Sequence, residues 1–164
     1  MSDRVEVAPH RVGTWIFAER LTGPATLAPF VVRLGAGIVM IAVSLSKFTR
    51  HENLVESFER YGIPTADAAV YLAGVIELVG GTFLVLGLLV RPTGLVVALH
   101  FLVAVLTGGR VDTDLFHVGL GLLLLACGMF LAWSGAGRWS LDGRLAHRQV
   151  DPVRTDERSG LAEH

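Results

Sequence analysis

Four stretches of this chain are long, apolar and nearly free of charge, and they restrict its fold more than any other feature. They run over about residues 29–48, 66–90, 92–109 and 114–133. About 20 apolar residues, each rising 1.5 Å along a helix, cross the hydrocarbon of a bilayer. Only 18% of the 164 residues are charged, and those sit mainly in the two tails and one connector. A soluble domain would carry about 25%. The pattern predicts an all-α, polytopic membrane protein: a four-transmembrane-helix bundle with short interfacial helices.

The connectors define the organisation. Arg91-Pro92 allows only a tight turn, so the second and third spans are expected to form an antiparallel hairpin. Gly108-Gly109-Arg110 makes a similarly short link to the fourth span. Between the first and second spans, Leu54, Val55, Phe58 and Tyr61 recur at helical spacing with acids opposite them. That spacing predicts an amphipathic interfacial helix stopped by Gly62 and Pro64. A second interfacial helix is expected around Trp15, Ile16 and Phe17. Residues 1–28 are thus an N-terminal segment, 29–145 the membrane domain, and 146–164 a polar tail expected to be disordered. The first residues mix charges with apolar groups and form no signal-peptide core.

Nine lysines and arginines fall on the side of the termini and the second connector, against four on the other. An even number of spans puts both termini on one side, and the positive-inside bias makes that side the cytoplasm. Pairs of small residues four apart, Ala42/Ser46, Ala69/Ala73, Gly94/Ala98 and Gly128/Ala132, are expected to form packing seams.

Each span also carries an ionisable residue: Arg33, Glu77, His100 and His117 in order. A carboxyl group at bilayer depth costs roughly 2.5–3.5 kcal/mol, so Glu77 calls for a partner. Counting along the helices places Glu77 and His100 each about 12 Å inside their spans, near the midplane. His117 lies roughly 6 Å inside the outer end of the fourth span. Lys47 closes the first span on that side, near Asp112 and Asp114, while Arg33 lies towards the cytoplasmic end and can snorkel to the headgroups. Glu77 and His100 are the candidate catalytic pair, with Lys47, His117 and Arg33 as candidate substrate-binding residues. A structural Glu–His or Glu–Lys bond that fixes the bundle remains the rival reading of Glu77.

Several functions are excluded. A net charge of −1 offers no field for nucleic acid. Cys127 is the only cysteine, which rules out an internal disulfide and a thiol-relay pair. Phosphate loops, nucleophile elbows and zinc-ligand spacings are missing, so no bound metal or haem is expected.

Five motifs fall in order: Arg33-Leu34-Gly35, Ser46-Lys47-Phe48, Gly62-Ile63-Pro64, Glu77-Leu78-Val79-Gly80-Gly81 through Leu86-Gly87-Leu88, and Gly137-Arg138-Trp139-Ser140-Leu141-Asp142. Together, over about Pro29 to Leu145, the chain resembles the DoxX family of small four-helix bacterial membrane proteins. That family is similar to the membrane subunit of thiosulfate:quinone oxidoreductase. The resemblance implies a subunit linked to quinone reduction or to sulfur or thiol oxidation, with quinone as substrate, in the bacterial cytoplasmic membrane. It marks Arg33, Lys47 and Glu77 as motif residues; His100 and His117 come from depth alone. Expected partners are the lipid bilayer, quinone, a soluble or membrane oxidoreductase and, as an option, a second copy of the chain. The alternatives are a non-catalytic anchor for a soluble oxidoreductase and a small-solute or proton carrier.

Overall fold

A computed structural model describes residues 21, 23–111, 115–137 and 139–142. The expected helix around Trp15 to Phe17, the polar tail 146–164, Asp112 and Asp114 lie outside the described residues. Five helices follow in order: α1 (Leu27–Thr49), α2 (His51–Arg60), α3 (Ala66–Leu86), α4 (Val90–Thr107) and α5 (Leu115–Ser134). The described residues contain no strand. α1, α3, α5 and α4 with its following turn are each long and apolar enough to cross a membrane. The protein is an all-α bundle of four spans.

α2 is the amphipathic connector. Leu54, Val55 and Phe58 are half-buried while Glu52, Glu56 and Glu59 face outward, and the helix packs on α3. Its end is a glycine cap: Gly62, at φ 73°, donates to the Glu59 carbonyl, and Ile63 donates to that of Phe58. The same arrangement ends α3, where Gly87 (φ 68°) donates to Leu84 and Leu88 donates to Phe83.

The turn between the second and third spans therefore lies at Gly87–Leu89, not at Arg91-Pro92 as the sequence suggested. Pro92 is the third residue of α4, where its missing N–H would have had no helical partner. Arg91 is buried, and its guanidinium donates to the Trp133 carbonyl at the end of α5 (3.0 Å).

Helix pairing also differs from a simple hairpin order. α1 packs closely on α3, and α4 on α5, whereas α3 and α4 touch much less. Glycines explain why. A Cβ on Gly37 would lie 2.8 Å from the Gly81 carbonyl oxygen, and one on Gly81 the same distance from that of Gly37. Gly94 and Gly128 stand in the same reciprocal relation across α4 and α5, each 2.8 Å from the other's carbonyl. In lipid, helices associate through such close approach rather than through water exclusion. The Gly94/Ala98 and Gly128/Ala132 seams thus lie where expected, but Ala42 is exposed and the first pair meets at Gly37 and Gly81 instead. Met40, Leu84, Val97, Leu124 and Leu131 fill the interior, while Leu72, Leu99, Phe116 and Leu123 point outward as a lipid-facing surface requires.

Candidate functional site

Glu77 sits mid-way along α3, and two side chains from other helices converge on it. Lys47 Nζ of α1 donates to Glu77 Oε2 at 2.7 Å, and His100 Nε2 of α4 lies 3.2 Å from Oε1. The Glu77 side chain is 3% exposed, Lys47 11% and His100 15%. Each carboxylate oxygen thus has its own partner, which is what a carboxylate at bilayer depth needs.

Local sequence explains the convergence. A Cβ on Gly74 would lie 3.1 Å from the Phe48 ring and 3.4 Å from Lys47 Cβ. The bare glycine lets the end of α1 lie against α3, so the Lys47 chain can run one turn deeper to Glu77. His100 stands edge-on to Phe101, with ring centroids 5.0 Å apart. When Glu77 is a carboxylate it only accepts, so His100 Nε2 carries the proton between them. The site joins a carboxylate, an ammonium and an imidazole, three groups able to hold or pass a proton. Glu77 and His100 are two potential metal ligands, and no third His, Cys, Asp or Glu joins them among the described residues.

The other two candidates stand elsewhere. His117 is exposed on α5, edge-on to Phe116 at 5.8 Å, whereas the groups bonded to Glu77 are Lys47 and His100. Arg33 does not snorkel outward: it is 1% exposed and turned into the end of the bundle opposite Lys47. Its Nη1 donates to the carbonyls of Leu84 (2.9 Å) and Val85 (3.0 Å), and its Nη2 to that of Trp139 (2.7 Å). The guanidinium also lies 5.1 Å from the Phe30 ring centroid. It reaches the Val85 carbonyl and joins Gly87 on that of Leu84 at the C-terminus of α3, where positive charge is favoured.

Depth counting also missed two groups. Asp142 reaches back to the start of α4, where its two oxygens accept from the backbone N–H of Leu89 (2.7 Å) and Val90 (2.9 Å). Its own N–H donates to the Gly87 carbonyl. Residues 135–137 and 139–142 thereby clasp that end of the bundle: a Cβ on Gly137 would lie 2.7 Å from the Thr26 carbonyl, and one on Gly87 3.0 Å from Ser140 Cα. At the Lys47 end, His51 pairs with Asp67 (2.8 Å) and stacks on Tyr71 at 4.0 Å between centroids. The only hint of that pair in the sequence was a histidine and an acid flanking the same connector.

Four of the five motifs that carried the family resemblance thus gather at two places, Lys47 and Glu77 in the triad and Arg33, Gly87, Trp139 and Asp142 in the clasp, while Gly62-Ile63-Pro64 ends α2. The DoxX family model matches residues 28–110. The chain belongs to the DoxX family. Among curated DoxX-type relatives, "Uncharacterized membrane protein Rv3486" of Mycobacterium tuberculosis is 37% identical over 131 residues, covering 71% of this chain and 80% of that protein. "Putative oxidoreductase CatD" of Bacillus subtilis is 29% identical over 116 residues, covering 71% of this chain and 85% of that protein. No solved structure gives a significant match.

Proposed function

We propose that this DoxX protein is the integral membrane subunit of a redox complex, and that Lys47, Glu77 and His100 receive the ring of a membrane quinone. The observation that carries this reading is the triad itself, a mid-span carboxylate flanked by two proton-bearing groups inside an apolar bundle. Reducing a quinone to a quinol takes two electrons and two protons at the ring oxygens. In this reading the electrons come from a partner oxidoreductase. Lys47 and His100 donate hydrogen bonds to the ring oxygens, and Glu77 relays protons to them. The word oxidoreductase in the name of the Bacillus subtilis relative supports the class of chemistry. The bilayer is the bacterial cytoplasmic membrane, with the clasped end on the cytoplasmic side, as the distribution of lysine and arginine favours.

Glu77→Gln keeps the shape and removes the ionisable group. Loss of general acid–base help lowers quinone reduction by roughly 10²-fold or more in membranes holding the assembled complex. Unchanged reduction at normal protein level defeats the mechanism. A second reading, a non-catalytic anchor for a soluble oxidoreductase, draws on the clasp, which fixes the chain at Asp142 just before its arginine-rich tail. Truncation after Leu145 that abolishes partner recovery in a pull-down while leaving the bundle folded favours this anchor role.

A further inference from the structure

The loose contact between α3 and α4 leaves an apolar groove on the lipid-facing side of the bundle. Its volume is about 370 Å³, within the ordinary range for a small-ligand site. Val75, Val79 and Phe83 form one wall, and Leu89, Pro92 and Val96 the other. Gly80 lies at the floor, backed by Met40 and Val97, to which a Cβ there would come within 3.3 and 3.6 Å. From Val75 to Phe83 the groove follows α3 for about 12 Å.

Its two ends differ. One lies level with the triad, whose residues do not line the groove itself: Ile76 precedes Glu77 in the chain, and Val96 is one helical turn from His100. The other stops at the Gly87–Leu89 turn, which Asp142 and Arg33 hold shut. The side is open, since Val79 and Val96 are 47% and 52% exposed. An occupant therefore enters from the bilayer, not from water.

We propose that this groove holds the isoprenoid tail of the quinone whose ring meets the triad, an inference that rests on the quinone reading above. A small uncharged ring can lie at mid-depth next to Glu77, whereas a phospholipid headgroup cannot. The polyprenyl quinone matches both the apolar walls and the depth of the triad beside them.

The test compares two benzoquinones with the same ring, one chainless and one carrying two isoprene units, for binding to the purified full chain in nanodiscs. Wild type is expected to bind the prenylated compound about tenfold more tightly or better. Val96→Trp fills the groove from its exposed lip and removes that preference, with chainless binding unchanged. Val79→Trp does the same from the opposite wall, and circular dichroism checks that both variants remain folded. A tail preference that persists in both folded variants overturns the groove as its cause. Ring binding without any tail preference in wild type overturns the groove but leaves the quinone reading standing. Binding of neither compound sinks both. Native mass spectrometry that finds a retained phospholipid, lost in Val96→Trp and not displaced by the prenylated quinone, assigns the groove to lipid and overturns the proposal.

Discussion

Glu77 holds a position that few carboxylates occupy, because both of its oxygens are bonded to groups on different helices, Lys47 of α1 and His100 of α4. The energetic weight of such a group shows when one partner is removed. Glu77→Ala leaves the Lys47 ammonium buried without its counter-charge and is expected to lower stability by about 3–5 kcal/mol. Adding Lys47→Met removes the stranded charge, so the double variant should recover much of the loss. Thermal unfolding in mild detergent measures all three proteins. Equal melting of the single and double variants would mean that the pair contributes no coupling. The sequence made this pairing legible because a charge within a span must find a partner, and rise along a helix fixes depth. Depth is only one coordinate. His117 passed the same depth argument yet faces outward, because nothing in its immediate sequence specifies its direction around α5. Arg33 was judged by its distance from a helix end, whereas its burial depends on a carbonyl 106 residues away.

Among the elements, the glycine contacts decide which helices pair. Because the backbone oxygens of Gly37 and Gly81 already lie 2.8 Å from where the opposing Cβ would stand, Gly81→Leu forces α1 and α3 apart. Gly128→Leu does the same to α4 and α5. Either change is expected to abolish recovery of monodisperse protein on gel filtration, since neighbouring backbone cannot yield as a flexible side chain can. Gly35 has open space around its Cβ position, so Gly35→Leu serves as the control and should behave as wild type. A Gly81→Leu protein that elutes and melts normally would remove glycine contact as the basis of pairing. Spacing of small residues exposed the α4–α5 seam but not the α1–α3 seam. A four-residue repeat of small side chains occurs on several faces of an apolar helix, and only the face that meets a partner makes it a seam. Turn placement was misread for a related reason: proline can sit in the first turn of a helix as readily as it can end one.

For the molecule as a whole, two tight helix pairs are joined through the triad at mid-depth and clasped at one end. Thr26 and Pro29 at the start of α1 lie against Gly137 beyond α5, so the two ends of the membrane domain share a side, opposite α2. In the orientation proposed above, that shared side is cytoplasmic. Single cysteines at Glu56 and at Leu141, each introduced into a Cys127→Ser chain, check this with a membrane-impermeant thiol reagent. Intact cells should label position 56 and spare position 141 until lysed. Labelling of 141 in intact cells would reverse the orientation and move the outward-facing end of the bundle to the cytoplasm. The four spans were visible in hydropathy alone, but the clasp was not, because a short polar segment after the last span carries no periodicity to announce where it docks.

The clasp also sets an order in time. Leu89 and Val90 receive their carboxylate cap from Asp142, 53 and 52 residues further along the chain. Leu89 meanwhile holds a left-handed backbone (φ 48°) that costs a residue with a side chain roughly 1–2 kcal/mol. When the second and third spans leave the ribosome, the turn between them is strained and its N–H groups are uncapped. The first half of the bundle is thus provisional until the last residues of the membrane domain are made, and synthesis that stops at the end of α5 leaves four spans without their lock.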